Sequence, residues 1–227
     1  MTPINVGIIG AGYRGVNTLA ERIVEIANET GLRVTAIHDT RQERLDETQI
    51  YLQDQFQKQG IDLAIAKHAN ANALIKDPNV DLVMVTTPQS AHKDPTITAL
   101  ESGKKVYLDK PIAHTLEDAI AIIEAEKRAN NPMILGFTRR YEAPWRKAYE
   151  LLKDGVIGEL HMLQIRDIIP FHTFFHRWHR KRQWSGDAIN DKSSHHMDVF
   201  NWFTGSRATK ITGFGGQRVF TPKEDAP

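Results

Sequence analysis

The chain has 227 residues, 41% of them hydrophobic, and a net charge of +1. That is long enough for one large or two small domains, and apolar enough to fill a core. It has no cysteine, which excludes disulfides and thiolate metal sites and fits a reducing compartment, so a cytoplasmic location is expected. The start of the chain is polar, without the apolar region of a signal peptide. No apolar run approaches the ~20 residues of a membrane span, so no membrane partner is expected. The near-zero net charge gives no reason to expect nucleic acid.

The apolar run Val6 to Ile9 breaks into Gly10-Ala11-Gly12-Tyr13-Arg14-Gly15. A buried strand, a glycine turn and then a helix suit a dinucleotide pyrophosphate. Gly10 permits the tight turn, Gly12 lets backbone approach the phosphates, and Gly15 lets the helix pack close to the strand. The helix start then offers free N–H groups and a positive dipole end. The helix is expected over about 16–30, with Leu19, Ile23 and Ile26 at helical spacing and Gly31 as its C-cap. A second strand, Arg33–His38, ends in Asp39, where an acidic residue holds the adenosine ribose hydroxyls. A carboxylate there repels a 2′-phosphate and favours NAD over NADP, although Arg41 could pair with such a phosphate.

A polar helix is expected over Gln42–Gln59, with Leu45, Ile50 and Phe56 facing inward. Ile61–Lys67 reads as a short strand, and Asn72–Ile75 as a helical turn capped by its own first carboxamide. Asp81–Thr86 is an apolar, β-branched buried strand running into Thr87-Pro88-Gln89-Ser90-Ala91-His92. Helix Lys93–Ser102 closes on Gly103. Strand Lys105–Leu108 precedes Asp109-Lys110-Pro111. Thr115 N-caps a helix to Asn130, and Met133–Phe137 is a further strand. This β-α alternation over residues 1–137 predicts a doubly wound parallel α/β sheet, a Rossmann dinucleotide-binding domain.

The pattern then changes. A helix is expected over Pro144–Asp154, a turn at Gly155 and Gly158, and strands over Glu159–Ile169 and Ala208–Val219. An amphipathic helix lies within Ala188–Gly205, with Val199, Phe200, Trp202 and Phe203 on it. Residues 138–227 are read as the start of an α+β substrate and oligomerisation domain. Charge shifts as well. Residues 1–138 hold 14 basic and 18 acidic residues, whereas 139–182 hold 10 and 5. The basic stretch interleaves Arg177, Arg180, Lys181 and Arg182 with Trp178, His179 and Trp184. It reads as a nucleic-acid patch, a solvated loop or a substrate-facing loop.

Two stretches can carry chemistry. Lys110 sits just past a strand end at the carboxyl edge of the sheet, where an ammonium can stabilise negative charge developing on a substrate oxygen. Asp191 and His195 are four apart, on one face of a helix, where the carboxylate can orient the ring for proton transfer. Asp198 is an alternative partner for that ring. Two histidines with two aspartates also allow a metal reading, but no third ligand shows committing spacing, and no metal is expected.

Five stretches in order, GIIGAGYRG, TTPQSAH, LDKPIAHTLEDA, GFTRRY and DKSSHHMD, resemble the glucose–fructose oxidoreductase and inositol dehydrogenase family, Gfo/Idh/MocA. Asp109 stands where that family usually has Glu. Ser193 stands where Gly is usual, with Lys192 beside it. The resemblance implies an NAD-dependent oxidoreductase passing a hydride between nicotinamide and a secondary alcohol of a sugar, polyol or sugar derivative. A glycoside-cleaving enzyme using transient oxidation and a non-catalytic NAD-binding protein are the alternatives. The implied catalytic residues are Lys110, His195 and Asp191. The implied cofactor residues are Gly10, Gly12, Tyr13, Arg14, Gly15, Asp39, Thr87, Pro88, His92, Asp109, Lys110 and Arg139. The resemblance also implies a cis Lys110–Pro111 bond, a loop at 172–184 bordering the substrate, and a homo-oligomer in the full-length form. The family's second domain usually continues well past this point, so an incomplete α+β domain is expected.

Overall fold

The computed structural model of the protein describes residues 2–168, 178–187 and 189–216. The chain divides into two compact units, Met1–Gly136 and Phe137–Pro227.

The first unit opens with β1, Ile4–Ile9. A π-helical stretch, Arg14–Ala20, runs into α1, Glu21–Glu25, and after a break at Ile26 into α2, Ala27–Thr30. Gly31 closes it with a left-handed φ of 76°, which glycine adopts without penalty. Then come β2, Leu32–His38; α3, Gln42–Lys58; β3, Ala66–Lys67; α4, Ala71–Ile75; and β4, Leu82–Val85. They are followed by α5, Lys93–Glu101; β5, Lys105–Leu108; α6, Leu116–Arg128; and β6, Met133–Leu135. Every pairing is parallel and the sheet order is β3-β2-β1-β4-β5-β6. The order reverses at β1, between β2 and β4, which opens a crevice at the carboxyl ends of those strands.

Strand alternation divides the core between the two sheet faces. On one face Val6, Ile8, Val34 and Ile37 pack with Val24, Leu45, Leu52 and Phe56. On the other, Ile9, Val83, Val85, Val106 and Leu108 pack with Leu74, Leu100 and Ile122. Three expectations are corrected here. Ile50 is 71% exposed, and the inner face of α3 is Leu45, Thr48, Leu52 and Phe56. The cap of α4 is Asn70, whose carboxamide oxygen accepts from the Ala73 N–H at 2.8 Å, not Asn72. Of Ile61–Lys67 only Ala66–Lys67 joins the ladder. The cap of α6 is Thr115, as expected, accepting from the Asp118 N–H at 3.2 Å.

The second unit contains a 3-10 turn, Thr138–Arg140; α7, Ala143–Lys153; a second 3-10 turn, Trp178–Arg180; and α8, Arg182–Ser185. A π-helical turn, Ile189–Ser193, leads directly into α9, Ser194–Thr204. Aromatic rings join α7 to α9: Tyr149 stacks on Trp202 at 4.6 Å, and Trp145 meets Phe203 edge-on. The strands expected over 159–169 and 208–219 are absent among the described residues of those stretches; residues 169 and 217–219 lie outside them. So do residues 172–177 of the expected substrate loop 172–184.

Candidate functional site

The three glycines of the first turn do three different things. Gly10 has φ +98°, and a Cβ there would meet the backbone of Thr86 and Thr87 at 2.8 Å. A Cβ on Gly15 would strike the Gly10 carbonyl oxygen and Thr86 Oγ1, so its absence lets the helix start sit against β1. A Cβ on Gly12 would meet only Arg44 Nη1, at 3.5 Å. Gly12 therefore leaves room that the protein does not use for packing. A strand, this turn and a following helix start fit a dinucleotide pyrophosphate.

Other groups bind the turn to its neighbours. The Gly10 N–H donates to the His38 carbonyl at 2.8 Å, and Thr86 Oγ1 donates to the Gly10 carbonyl at 2.8 Å. Arg14 forms a bidentate pair with Asp109, Nε to Oδ2 at 2.9 Å and Nη2 to Oδ1 at 3.0 Å, joining the β1 turn to the end of β5. Burial pulls the Arg14 pKa down, but Asp109 and Tyr107 more than offset it and the net shift is upward. Tyr13 is largely exposed. Asp39 accepts from the Arg41 N–H at 3.0 Å and from Arg44 Nη1 at 3.2 Å. Arg44 and Thr86 are the neighbours of this site that sequence reasoning missed. For Arg44 the available signal was its position in the first turns of α3, five residues after Asp39.

At the end of β4, Thr87 Oγ1 donates to the Ala91 carbonyl and Pro88 starts the following turn. His92 is buried, its ring between two carbonyls, Pro111 at 3.0 Å from Nδ1 and Thr87 at 3.0 Å from Nε2. It thus clamps the β4 loop to the β5 loop from beneath instead of lining an open surface. Burial pushes its pKa down. Lys110 is half-buried at the end of β5, and its bond to Pro111 is cis, as expected. The crevice of the first unit thus brings together Gly10, Gly12, Gly15, Arg14, Thr87, Pro88, Asp109 and Lys110 at the carboxyl ends of β1, β4 and β5.

In the second unit Asp191 and His195 are both buried where the π-helical turn enters α9. His195 packs edge-on against Phe137, ring centres 5.9 Å apart. Asp198 is taken by Arg140, which reaches both carboxylate oxygens from Nε and Nη2 at 2.8–3.1 Å, and so is not a free partner for the imidazole. Arg139 donates from Nη2 to Asp167 at 2.8 Å and lies 5.0 Å from the Trp145 ring centre. Asp167 also accepts from His196 Nε2 at 3.1 Å and faces Lys192 Nζ at 3.5 Å. Burial pushes Asp167 up, but Lys192, His196 and Arg139 together hold its carboxyl below the ordinary value. A groove of about 490 Å³ is lined by Arg140, Tyr141, Arg146, Tyr149, Glu150 and Trp202. It shares none of the sequence-predicted residues. No group of three metal-ligating side chains occurs among the described residues, and no helix there is long and apolar enough to cross a membrane.

A six-stranded parallel sheet reversing at β1, with this glycine turn, defines a Rossmann-type dinucleotide-binding protein. Residues 4–137 match the Gfo/Idh/MocA oxidoreductase family, NAD-binding Rossmann fold, and residues 145–226 match a Gfo/Idh/MocA C-terminal domain. The chain belongs to the Gfo/Idh/MocA oxidoreductase family. It is 28% identical over 218 residues to myo-inositol 2-dehydrogenase of Thermotoga maritima, covering 95% of this chain and 59% of that protein. Aldose–aldose oxidoreductase of Caulobacter crescentus, solved with glycerol, aligns with a TM-score of 0.69 at 26% identity, over 89% of this chain and 58% of that one. Myo-inositol dehydrogenase of Lactobacillus casei, solved with NAD(H) and myo-inositol, shares the fold with a TM-score of 0.68 at 24% identity, over 90% and 55%. The chain spans little more than half the length of these relatives.

Proposed function

We propose that this chain is the cofactor-binding and partial substrate portion of an NAD-dependent oxidoreductase acting on a secondary alcohol of a sugar or polyol. The observation that carries the reading is the glycine turn, in which Gly10 and Gly15 are forced by packing while Gly12 is not. Gly10, Gly12, Gly15 and the helix start would hold the pyrophosphate, and Asp39 the adenosine ribose. Bound nicotinamide would supply the hydride acceptor. Lys110 would donate to the reacting oxygen and stabilise charge on it. His195 would take the hydroxyl proton, with Asp191 fixing the ring. For both to serve one proton transfer they must reach one oxygen. The names of the Thermotoga and Caulobacter relatives support an inositol or an aldose as the substrate class.

The test is a screen of inositols and sugars with NAD, followed by absorbance of the reduced nicotinamide. His195→Ala should lower turnover ~10²–10⁴-fold with NAD affinity nearly unchanged. Lys110→Ala should also lower it, and the two losses should be less than additive. Full activity in His195→Ala refutes the assignment. Product without net NADH points to transient oxidation, and NAD binding without turnover on any substrate to a non-catalytic protein.

A further inference from the structure

Asp39 does not present a bare carboxylate at the end of β2. Its side chain is only 8% exposed, whereas that of Arg44 is 36% exposed. Oδ1 accepts from the Arg41 N–H at 3.0 Å and Oδ2 from Arg44 Nη1 at 3.2 Å. The same Nη1 lies 3.5 Å from where a Cβ on Gly12 would stand. The guanidinium therefore spans the gap from Asp39 to Gly12, the space that the dinucleotide reading gives to the adenosine ribose and its neighbouring phosphate. The pair has no net charge, and the charge nearer to solvent is the positive one. Among the described residues Asp39 is the one hydrogen-bond partner of this guanidinium, through a single long contact. The Arg14–Asp109 pair, by contrast, is bidentate. Most of the five N–H donors of Arg44 are thus left for solvent or a ligand.

We propose that Arg44 sets the cofactor specificity of this chain: it binds a 2′-phosphate on the adenosine ribose, so that NADP is accepted beside NAD even though Asp39 ends β2. This rests on the reading that the glycine turn binds a dinucleotide. A lone carboxylate at that place repels the phosphate, but a carboxylate already paired with a guanidinium does not. The planar guanidinium fork also matches phosphate oxygens in a way that a lysine would not. NAD is not shut out. Each Asp39 oxygen has one protein partner among the described residues and keeps a lone pair for a ribose hydroxyl. Arg41 is exposed as well, but it meets Asp39 through its backbone N–H and not through its guanidinium.

The test measures binding, not turnover, so it stands apart from the oxidoreductase assay. Calorimetric Kd values for NAD and NADP are taken on the parent chain, on Arg44→Gln and on Arg41→Gln. A neutral Asp39–Arg44 pair predicts parent Kd values for the two dinucleotides within about tenfold of each other, with NADP weakening the more steeply as salt is raised. Arg44→Gln removes a charge-assisted hydrogen bond to the phosphate and should raise the ratio of the NADP Kd to the NAD Kd ~10–100-fold, with NAD nearly unchanged. Arg41→Gln should leave that ratio where it stands in the parent. A purely structural role for Arg44 would weaken both dinucleotides together. The proposal is overturned if the parent binds NADP more than about tenfold more weakly than NAD, if Arg44→Gln shifts both Kd values equally, or if the ratio changes in Arg41→Gln instead. Those three results leave the dinucleotide reading intact. Binding of neither dinucleotide to the parent would refute that reading itself, and the role of Arg44 with it.

Discussion

Gly12 and Gly15 lie three residues apart in one turn, and replacing each by alanine should have opposite consequences. In Gly15→Ala the new methyl lies 2.6 Å from Thr86 Oγ1 and 3.3 Å from Ile8 Cγ2, and closer still to the Gly10 carbonyl oxygen. That oxygen cannot easily withdraw, because it accepts from Thr86 and sits in a residue whose own N–H is bound to His38. Overpacking of this kind costs about 1–3 kcal/mol, and contact with fixed backbone belongs in the upper half of that range. Alanine returns about 1 kcal/mol in helix propensity. The net loss is about 1–2 kcal/mol, which for a chain of this size lowers Tm by roughly 2–8 °C. In Gly12→Ala the methyl meets only the end of Arg44, and the residue has no left-handed φ. Stability should stay within about 0.5 kcal/mol, while the methyl occupies the space a pyrophosphate needs and NAD affinity falls at least tenfold, about 1.4 kcal/mol. Thermal melts without nucleotide, alongside calorimetric titration with NAD, separate the two. A Gly12→Ala protein that binds NAD normally, or that melts as far below the parent as Gly15→Ala, refutes the division of roles.

Further variants probe the frame. Thr115→Ala removes the cap of α6 and should cost about 1 kcal/mol, read as a Tm lower by roughly 2–4 °C. Arg14→Met leaves Asp109 largely buried without its bidentate partner; the loss should approach, but not exceed, roughly 3–5 kcal/mol, because Arg14 is itself 31% exposed. Asp39→Ser should weaken NAD and narrow its advantage over NADP; an unchanged preference in paired titrations would remove Asp39 from the ribose. His92 has a pKa lowered by burial, so the unfolded chain takes up a proton that the folded chain refuses. Its stabilisation is present above about pH 6.5 and is lost as pH falls below it, at no more than ~1.4 kcal/mol per pH unit. The drop in Tm between pH 7.5 and 5.5 should therefore shrink in His92→Gln.

The first unit was legible because its signals are local. β5 runs from Lys105 to Leu108 as read, Thr115 caps its helix with its hydroxyl, and Gly31 ends its own because it lacks a Cβ. Where local reading failed, the physics is specific. Ile50 was assigned inward for its hydrophobicity, but Leu45, Thr48, Leu52 and Phe56 follow the helical period and Ile50 falls off that stripe. Residues 159–168 alternate like a strand, yet alternation gives a face and not a partner, and no ladder forms there among the described residues. The partners of Asp198 and Asp167 lie 58 and 28 residues away in Arg140 and Arg139, and nothing in the spacing announces them.

The arrangement at the carboxyl ends of β1, β4 and β5 has a consistent logic. Thr86 binds its hydroxyl to the Gly10 carbonyl, the His92 ring sits between the Thr87 and Pro111 carbonyls and donates its one N–H to one of them, and Arg14 and Asp109 satisfy each other. Each is a polar side chain at the sheet edge, and each is bound to the protein itself. Keeping these hydrogen bonds internal fixes the backbone of three loops before any ligand arrives. A frame of this kind places donors without reorganisation, which is what electrostatic stabilisation of a developing charge requires. His92, read from sequence as lying along the cofactor, is buried and meets the Pro111 carbonyl, in the loop that carries Lys110. A His92 variant should then disturb turnover through the placement of Lys110 while leaving the space beside Gly12 untouched. NAD affinity and kcat should separate in that variant, and a parallel loss of both would mean that the clamp supports the whole crevice and not the lysine alone.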